Sequence, residues 1–250
     1  WGSAIFKDTV CMFALGWLTY TVFRTFISKD FSFKNISLLS ISFLLLLKIK
    51  IYILLAFLPA LSIWLLTTYS SKIPSVALRT ATWIVFMGLA LGAFYMMADI
   101  FAEELNKYSL EKIAQTAAVT RGWINYASGD EGSAYDLGAF DPSIVGMLSK
   151  FPQAVVVTLF RPFPWEARKV MMLLSAAEAL AFLYFTFQAF RKGGLGSSFS
   201  MIVKDPNLFF CVVFSLIFAF AVGITSYNFG ALSRYKIPCM PFYAALIVVL

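Results

Sequence analysis

Twenty lysines and arginines against thirteen acids leave this 250-residue chain at +7, and it contains no histidine. Without imidazole there is no Ser-His-Asp triad, no histidine-ligated zinc or non-haem iron, and no bis-histidine haem. Cys11, Cys211 and Cys239 lie apart, in or beside apolar runs, without metal-site spacing, so they read as lipid- or core-facing thiols. Neither a metal nor a cofactor is expected. Any chemistry must therefore come from cations and carboxylates. The cations fall in short groups: Lys7, Lys48 and Lys50, then Arg161, Arg168 and Lys169, and lastly Arg234 and Lys236. Two readings fit them. They are interfacial side chains that snorkel and set helix depth, or they converge on an anionic ligand such as a lipid pyrophosphate, which arginine grips with paired, charge-assisted hydrogen bonds. The carboxylates in reach of such a ligand are Asp8, Asp136, Asp141 and Glu166. A carboxylate beside an acceptor hydroxyl takes its proton. Equally, Asp136 and Asp141 read as solvated loop residues, Asp141-Pro142-Ser143 as a turn into a helix, and Glu166 as a salt-bridge partner of Arg168 or Lys169.

The elements that position these residues follow from composition. The chain is 60% hydrophobic and only 13% charged, against roughly 25% charged in a soluble domain. Lipid is the solvent that absorbs such an excess of apolar surface. Apolar segments cover 10–27, 36–47, 51–69, 80–101, 170–190, 208–229 and 238–250. Most are long enough to cross a bilayer core, which takes about 20 residues as a helix, and lipid forces each to satisfy its own backbone groups. The expected fold is all-α, a polytopic transmembrane bundle of about six or seven membrane segments in one integral membrane domain over 1–250. The segments 36–47 and 51–69 are expected to form a tight hairpin around Lys48-Ile49-Lys50, since one continuous helix would bury two lysines at mid-depth. No secretory leader precedes Trp1, and the run 238–250 stops short of a full span, so the chain is expected to be a fragment truncated at both ends.

Residues 102–169 read as one long external loop. Within it, 103–118 has the alternating charge of a surface helix, 122–149 holds four acids and no base, and 143–159 reads as an interfacial helix. Arg161-Pro162-Phe163-Pro164-Trp165-Glu166 reads as a rigid return to the membrane, and 191–200 as a Gly/Ser linker with a basic start. Lys72 and Arg79, and Arg191, Lys192 and Lys204, mark cytoplasmic loops under the positive-inside rule. The acidic loop then lies outside, and with it Lys7, Asp8, Lys48, Lys50, Arg234 and Lys236. Glu178 lies within a span, either protonated or paired with a residue on another span. Gly88-x-x-x-Gly92 is a helix-packing motif. The charge is scattered between spans, with no continuous basic track, so nucleic acid is not an expected partner. Membrane lipid is.

Asn228-Phe229-Gly230-Ala231-Leu232-Ser233-Arg234-Tyr235-Lys236-Ile237-Pro238, followed by Pro241 and an apolar run, resembles the Arg-Tyr-x-x-Pro ends of polytopic bacterial membrane glycosyltransferases and exopolysaccharide polymerases. The opening Trp1-Gly2-Ser3-Ala4-Ile5-Phe6-Lys7-Asp8 is similar to a segment preceding a transmembrane helix in such proteins. The resemblance implies a transferase in the bacterial inner membrane, acting at its outer face on a polyprenyl-(di)phosphate-linked glycan. On that reading Arg234 and Lys236 neutralise the lipid diphosphate, helped by Lys7, Lys48, Lys50 and Arg168. Arg161 does likewise or holds the acceptor glycan beside Trp165, with Tyr135 as a second aromatic platform. Glu166, Asp136 and Asp8 are then the candidate catalytic acids, although the family's usual acid would lie before Trp1. A flippase for the same lipids, or a non-catalytic subunit of a membrane protein complex, are the alternatives. Polar groups clustered at one face, with only Glu178 clearly deep, favour the transferase over a transporter.

Overall fold

The computed structural model describes residues 7–70, 73–85, 88, 119, 134–138 and 144–250. The surface helix expected over 103–118, most of the apolar segment 80–101, and Lys72, Asp130, Glu131 and Asp141 lie outside the described residues. Among the described residues the chain is helical apart from turns and one isolated bridge between Ala134 and Asn228. Among the described residues four helices are long and apolar enough to cross a membrane: Lys7–Ile27, Ile51–Ser70, Val170–Gly193 and Pro206–Ser226.

The first three helices form an up-down-up unit. Helix α1 (Lys7–Val22) keeps its polar side chains satisfied in an apolar setting, because the Thr19 and Thr21 hydroxyls donate back to the Leu15 and Trp17 carbonyls, both at 2.8 Å. A π-turn over Phe23–Ile27 ends it, and Asp30 closes the following turn by accepting from Ser32 N–H and pairing with Arg24. Helix α2 (Phe33–Ile49) returns along α1 and stops at Lys50, whose backbone (φ −147°, ψ 76°) leaves the helical region. Helix α3 (Ile51–Ser70) starts at once, with Pro59 inside it removing one backbone bond. Residues 36–69 are thus two helices. They run antiparallel, since Lys50 meets Asp8 at one end of α1, while Trp64 stacks on Phe23 and Tyr69 donates to the Phe26 carbonyl at the other. With 17 residues, α2 rises about 26 Å, short of the four longer spans. A short helix α4 (Val76–Val85) follows, tied to α3 by Trp83 Nε1 donating to Ser70 Oγ at 3.2 Å.

The interfacial helix expected over 143–159 is divided into α5 (Ile144–Ser149) and α6 (Phe151–Phe160). After the return segment 161–169, α7 (Val170–Gly193) leads directly into α8 (Leu195–Lys204). The flexible linker expected over 191–200 is therefore corrected to helix on both sides of a single turn residue, Gly194, whose φ of +75° suits glycine. Helix α9 (Pro206–Ser226) is capped by Asp205, which accepts from the Asn207 and Leu208 N–H groups, with Pro206 in the first turn. Tyr227, in the left-handed region, ends it, and α10 (Phe229–Tyr235), a 3-10 turn at Ile237–Cys239 and α11 (Met240–Val249) complete the chain.

Helix α9 is the centre of the bundle, packing on α3, α6, α8 and α11. Its contact with α3 is an aromatic ladder: Phe57 meets Phe210 and Phe214 edge-on at 5.5 and 5.8 Å, and Trp64 stacks on Phe210 at 4.8 Å. Phe242 of α11 closes on Phe214 at 4.7 Å. Each such pair adds about 0.5–1.5 kcal/mol beyond its buried area. That matters in lipid, where packing has to replace the hydrophobic drive. Against α6 the approach is closer still. A Cβ on Gly223 would lie 2.3 Å from the Ala154 carbonyl oxygen, so only glycine allows the contact. The buried Thr158 hydroxyl lies within hydrogen-bond reach of both the Ala154 and Ala219 carbonyls, at 2.9 and 2.8 Å.

Candidate functional site

The chain directions gather charge at one end of the bundle. Helix α1 begins there, α2 and α9 finish there, and α10 lies across it. Asp8, in the first turn of α1, is buried with its carboxylate between two cations separated from it by 42 and 226 residues. One oxygen pairs with the Lys50 ammonium and the other accepts from Arg234 Nη2 at 3.1 Å. Lys50 also sits over the rings of Tyr52 and Tyr235, at 5.7 and 5.4 Å from their centroids. Such rings stabilise an ammonium that has lost most of its water. Burial works against the charge on Lys50, but the Asp8 carboxylate and Tyr52 outweigh it and hold the ammonium above its ordinary pKa. The Arg234 side chain is 44% exposed. The cluster therefore carries one carboxylate and two guanidinium or ammonium groups, a net positive site with one cation open to the outside. Lys7 and Lys48, at the adjoining helix ends, are exposed.

Lys236 does not share that carboxylate. Its side chain is only 1% exposed, and its ammonium lies 3.3 Å from Glu178 Oε1 on α7, without the geometry of a hydrogen bond. Glu178 thus has a partner, although Lys236 lies in the turn after α10 and not on another span. The pair fastens α10 to α7, as does the contact of Ser233 Oγ with Ser175 Oγ at 3.1 Å.

A second charged group lies on the return segment. Glu166 accepts from Arg161 Nε at 3.1 and 3.0 Å, pairs with its Nη2, and accepts from the Phe163 N–H at 2.8 Å. Glu166 is therefore joined to Arg161, not to Arg168 or Lys169, both of which are exposed. Burial raises the Glu166 carboxyl, but the Arg161 guanidinium and the Phe163 N–H prevail and hold it below the usual carboxylate range. Arg161 lies over the Phe229 ring, 5.3 Å from its centroid. Trp165, 79% exposed, stacks on Phe163 at 4.8 Å and presents a free aromatic face. Tyr135 is placed otherwise. It is buried, its hydroxyl donates to the Gly223 carbonyl at 2.8 Å, and its ring packs between Tyr227 and Phe229. Burial pushes its phenol well above the ordinary value. A side chain so enclosed braces the ends of α9 and α10 and leaves no face for an acceptor glycan. Asp136 is exposed and accepts from the Gly138 N–H at 2.9 Å, a turn-closing bond.

Of the twelve candidate residues, then, Asp8, Lys50 and Arg234 meet in one cluster; Arg161, Glu166 and Trp165 share another segment; and Lys236 and Tyr135 are interior. Of the ring partners, Tyr235 is the tyrosine of the Arg-Tyr-x-x-Pro segment, although the resemblance gives it no role, and Tyr52 carries no sequence signal beyond being two residues from Lys50. Among the described residues no three acid or thiol side chains converge in a way that could hold a metal ion. No protein-family model matches the chain, and no curated protein and no solved structure is significantly similar to it.

Proposed function

We propose that this chain is part of a polytopic membrane enzyme, a glycosyltransferase or polysaccharide polymerase that uses a polyprenyl-(di)phosphate-linked sugar at the outer face of a bacterial inner membrane. The observation that carries the reading is the meeting of Asp8, Lys50 and Arg234 at one end of an apolar helix bundle. Two cations at the rim of the bilayer, one of them half open, suit a ligand with its phosphates at the headgroup level and its chain in lipid. Asp8 holds the two cations in register while the site is empty. A diphosphate arriving there replaces the carboxylate as the partner of Arg234. The remaining segments, α2 and those over 80–101 and 238–250, bring the expected count to six or seven.

The step itself balances without a metal. An acceptor hydroxyl attacks the anomeric carbon of the donor, the C–O bond to the diphosphate breaks, and the lipid diphosphate leaves with the electron pair. Preorganised cations stabilise the charge that develops there, which is often the main source of rate enhancement in such a reaction. The hydroxyl proton passes to a carboxylate, and Asp8, released from Arg234 by the ligand, is the candidate within this cluster. Trp165 offers its exposed face to the acceptor glycan. Reconstituted full-length protein supplied with lipid-linked glycan tests the reading. Arg234→Gln should lower transfer about 100-fold or more, with donor accumulating in the outer leaflet. Donor trapped in the inner leaflet would point to a flippase, and unchanged polymer with a lost protein complex to a scaffold.

A further inference from the structure

At the opposite end of the bundle α7 reaches Gly193, turns at Gly194, and continues as α8 until Asp205 caps α9. Both neighbours of α8 are helices long enough to cross the membrane. At ten residues, about 15 Å, the helix that joins them is too short to cross the bilayer itself. Its side chains fit the plane of the bilayer surface. Leu195, Phe199 and Val203, four residues apart in turn, form one stripe and are 75%, 69% and 51% exposed. Ile202 and Ser198 beside the stripe are buried where α8 packs on α9. Lys204, Ser197 and the partly exposed Met201 fall on the opposite side of the helix. Arg191 and Lys192, in the last turn of α7, are exposed next to it.

We infer that α8 is a lipid-docking helix, with Leu195, Phe199 and Val203 in the acyl boundary and Arg191, Lys192 and Lys204 on anionic phospholipid headgroups. Charge complementarity selects the occupant. Lys29 and Lys34 add to the cations of this end, whereas among the described residues its two acids are engaged, Asp30 with Arg24 at 2.5 Å and Asp205 with the N–H groups that begin α9. An apolar stripe at the acyl boundary, with lysine and arginine beside it at headgroup level, binds through apolar burial and charge attraction together. The inference is independent of the glycosyl-transfer reading and stands or falls without it.

The test uses the full chain with Cys11, Cys211 and Cys239 replaced by alanine, Phe199→Cys carrying a fluorophore, in vesicles of phosphatidylglycerol and phosphatidylcholine in equal parts. Brominated phosphatidylglycerol should quench the label about two- to fivefold more than brominated phosphatidylcholine. The triple variant Arg191→Gln, Lys192→Gln, Lys204→Gln should bring that ratio to about one. Absence of quenching by either lipid, or a ratio unchanged by the triple variant, overturns the inference. The phospholipids retained by the unlabelled chain give a second readout that needs no cysteine replacement. Enrichment of phosphatidylglycerol unchanged by the triple variant in a chain that also carries Arg234→Gln contradicts it equally.

Discussion

The two charged groups near the Asp8 end are built on opposite plans. Glu166 lies five residues from Arg161, accepts all of its hydrogen bonds from that arginine and one backbone N–H, and is neutralised by it. Asp8 draws its partners from the α2–α3 break and from α10, and it is one anion between two cations. A pair that closes locally can form early in folding, needs no other helix and has nothing left over. A cluster assembled from three segments exists only in the finished bundle and keeps a positive remainder. The first arrangement is a brace for a turn. The second has the makings of a site, and for that reason Asp8 is a better candidate than Glu166 for an exchangeable carboxylate.

The largest expected effect separates the two directly. Asp8→Ala leaves the largely enclosed Lys50 without its anion and should cost about 3–5 kcal/mol in detergent unfolding. Arg161→Ala together with Glu166→Ala removes both ends of a local pair and should cost less than half as much. Next comes Gly223→Ala, which puts a carbon against the Ala154 carbonyl and should destabilise by about 1–3 kcal/mol. The damage should fall on the α6 side, exposing Tyr135 to quenchers while the Asp8 cluster persists. A double-mutant cycle between Lys236→Met and Glu178→Gln should give a coupling of about 1–3 kcal/mol, and the same cycle between Lys236→Met and Asp8→Asn about zero.

The acid range sharpens the contrast. Glu166 is lowered in the folded protein relative to its unfolded value of about 4.3. Its contribution is therefore complete above that value and is lost as pH falls through the folded pKa. Glu166→Gln should flatten the low-pH end of the stability profile and leave neutral pH the reference for all the other variants. The smallest effect on stability is expected at Arg234→Gln, within about 0.5 kcal/mol, because the side chain is half in solvent.

Much of the architecture is legible in the residues because lipid imposes a simple rule. Runs of twenty apolar residues in lipid have to be helices, and the four long apolar helices among the described residues lie where hydropathy puts them. The break at Lys50 is legible too, since two lysines one residue apart resist mid-membrane burial. The α8 helix is less so. Its glycines read as a linker, although Leu195, Phe199 and Val203 already kept a spacing of four. Partnerships are the least legible. Nothing local links Asp8 to residue 234, or Glu178 to residue 236, because those contacts are set by how α9 and α7 cross the bundle. Composition likewise cannot tell the buried Tyr135 from an exposed aromatic such as Trp165. The difference arises from Gly223, 88 residues away, offering its carbonyl.

Binding of a polyprenyl diphosphate to the reconstituted chain, compared between the native protein and Arg234→Gln by native mass spectrometry or calorimetry, bears most directly on the central claim. Loss of at least about tenfold in affinity, with stability unchanged, is the predicted result, since a charge-assisted pair contributes about 1.5–3 kcal/mol. Equal affinity in the two proteins, or no binding to either, would contradict the assignment of the Asp8–Lys50–Arg234 cluster as a phosphate site.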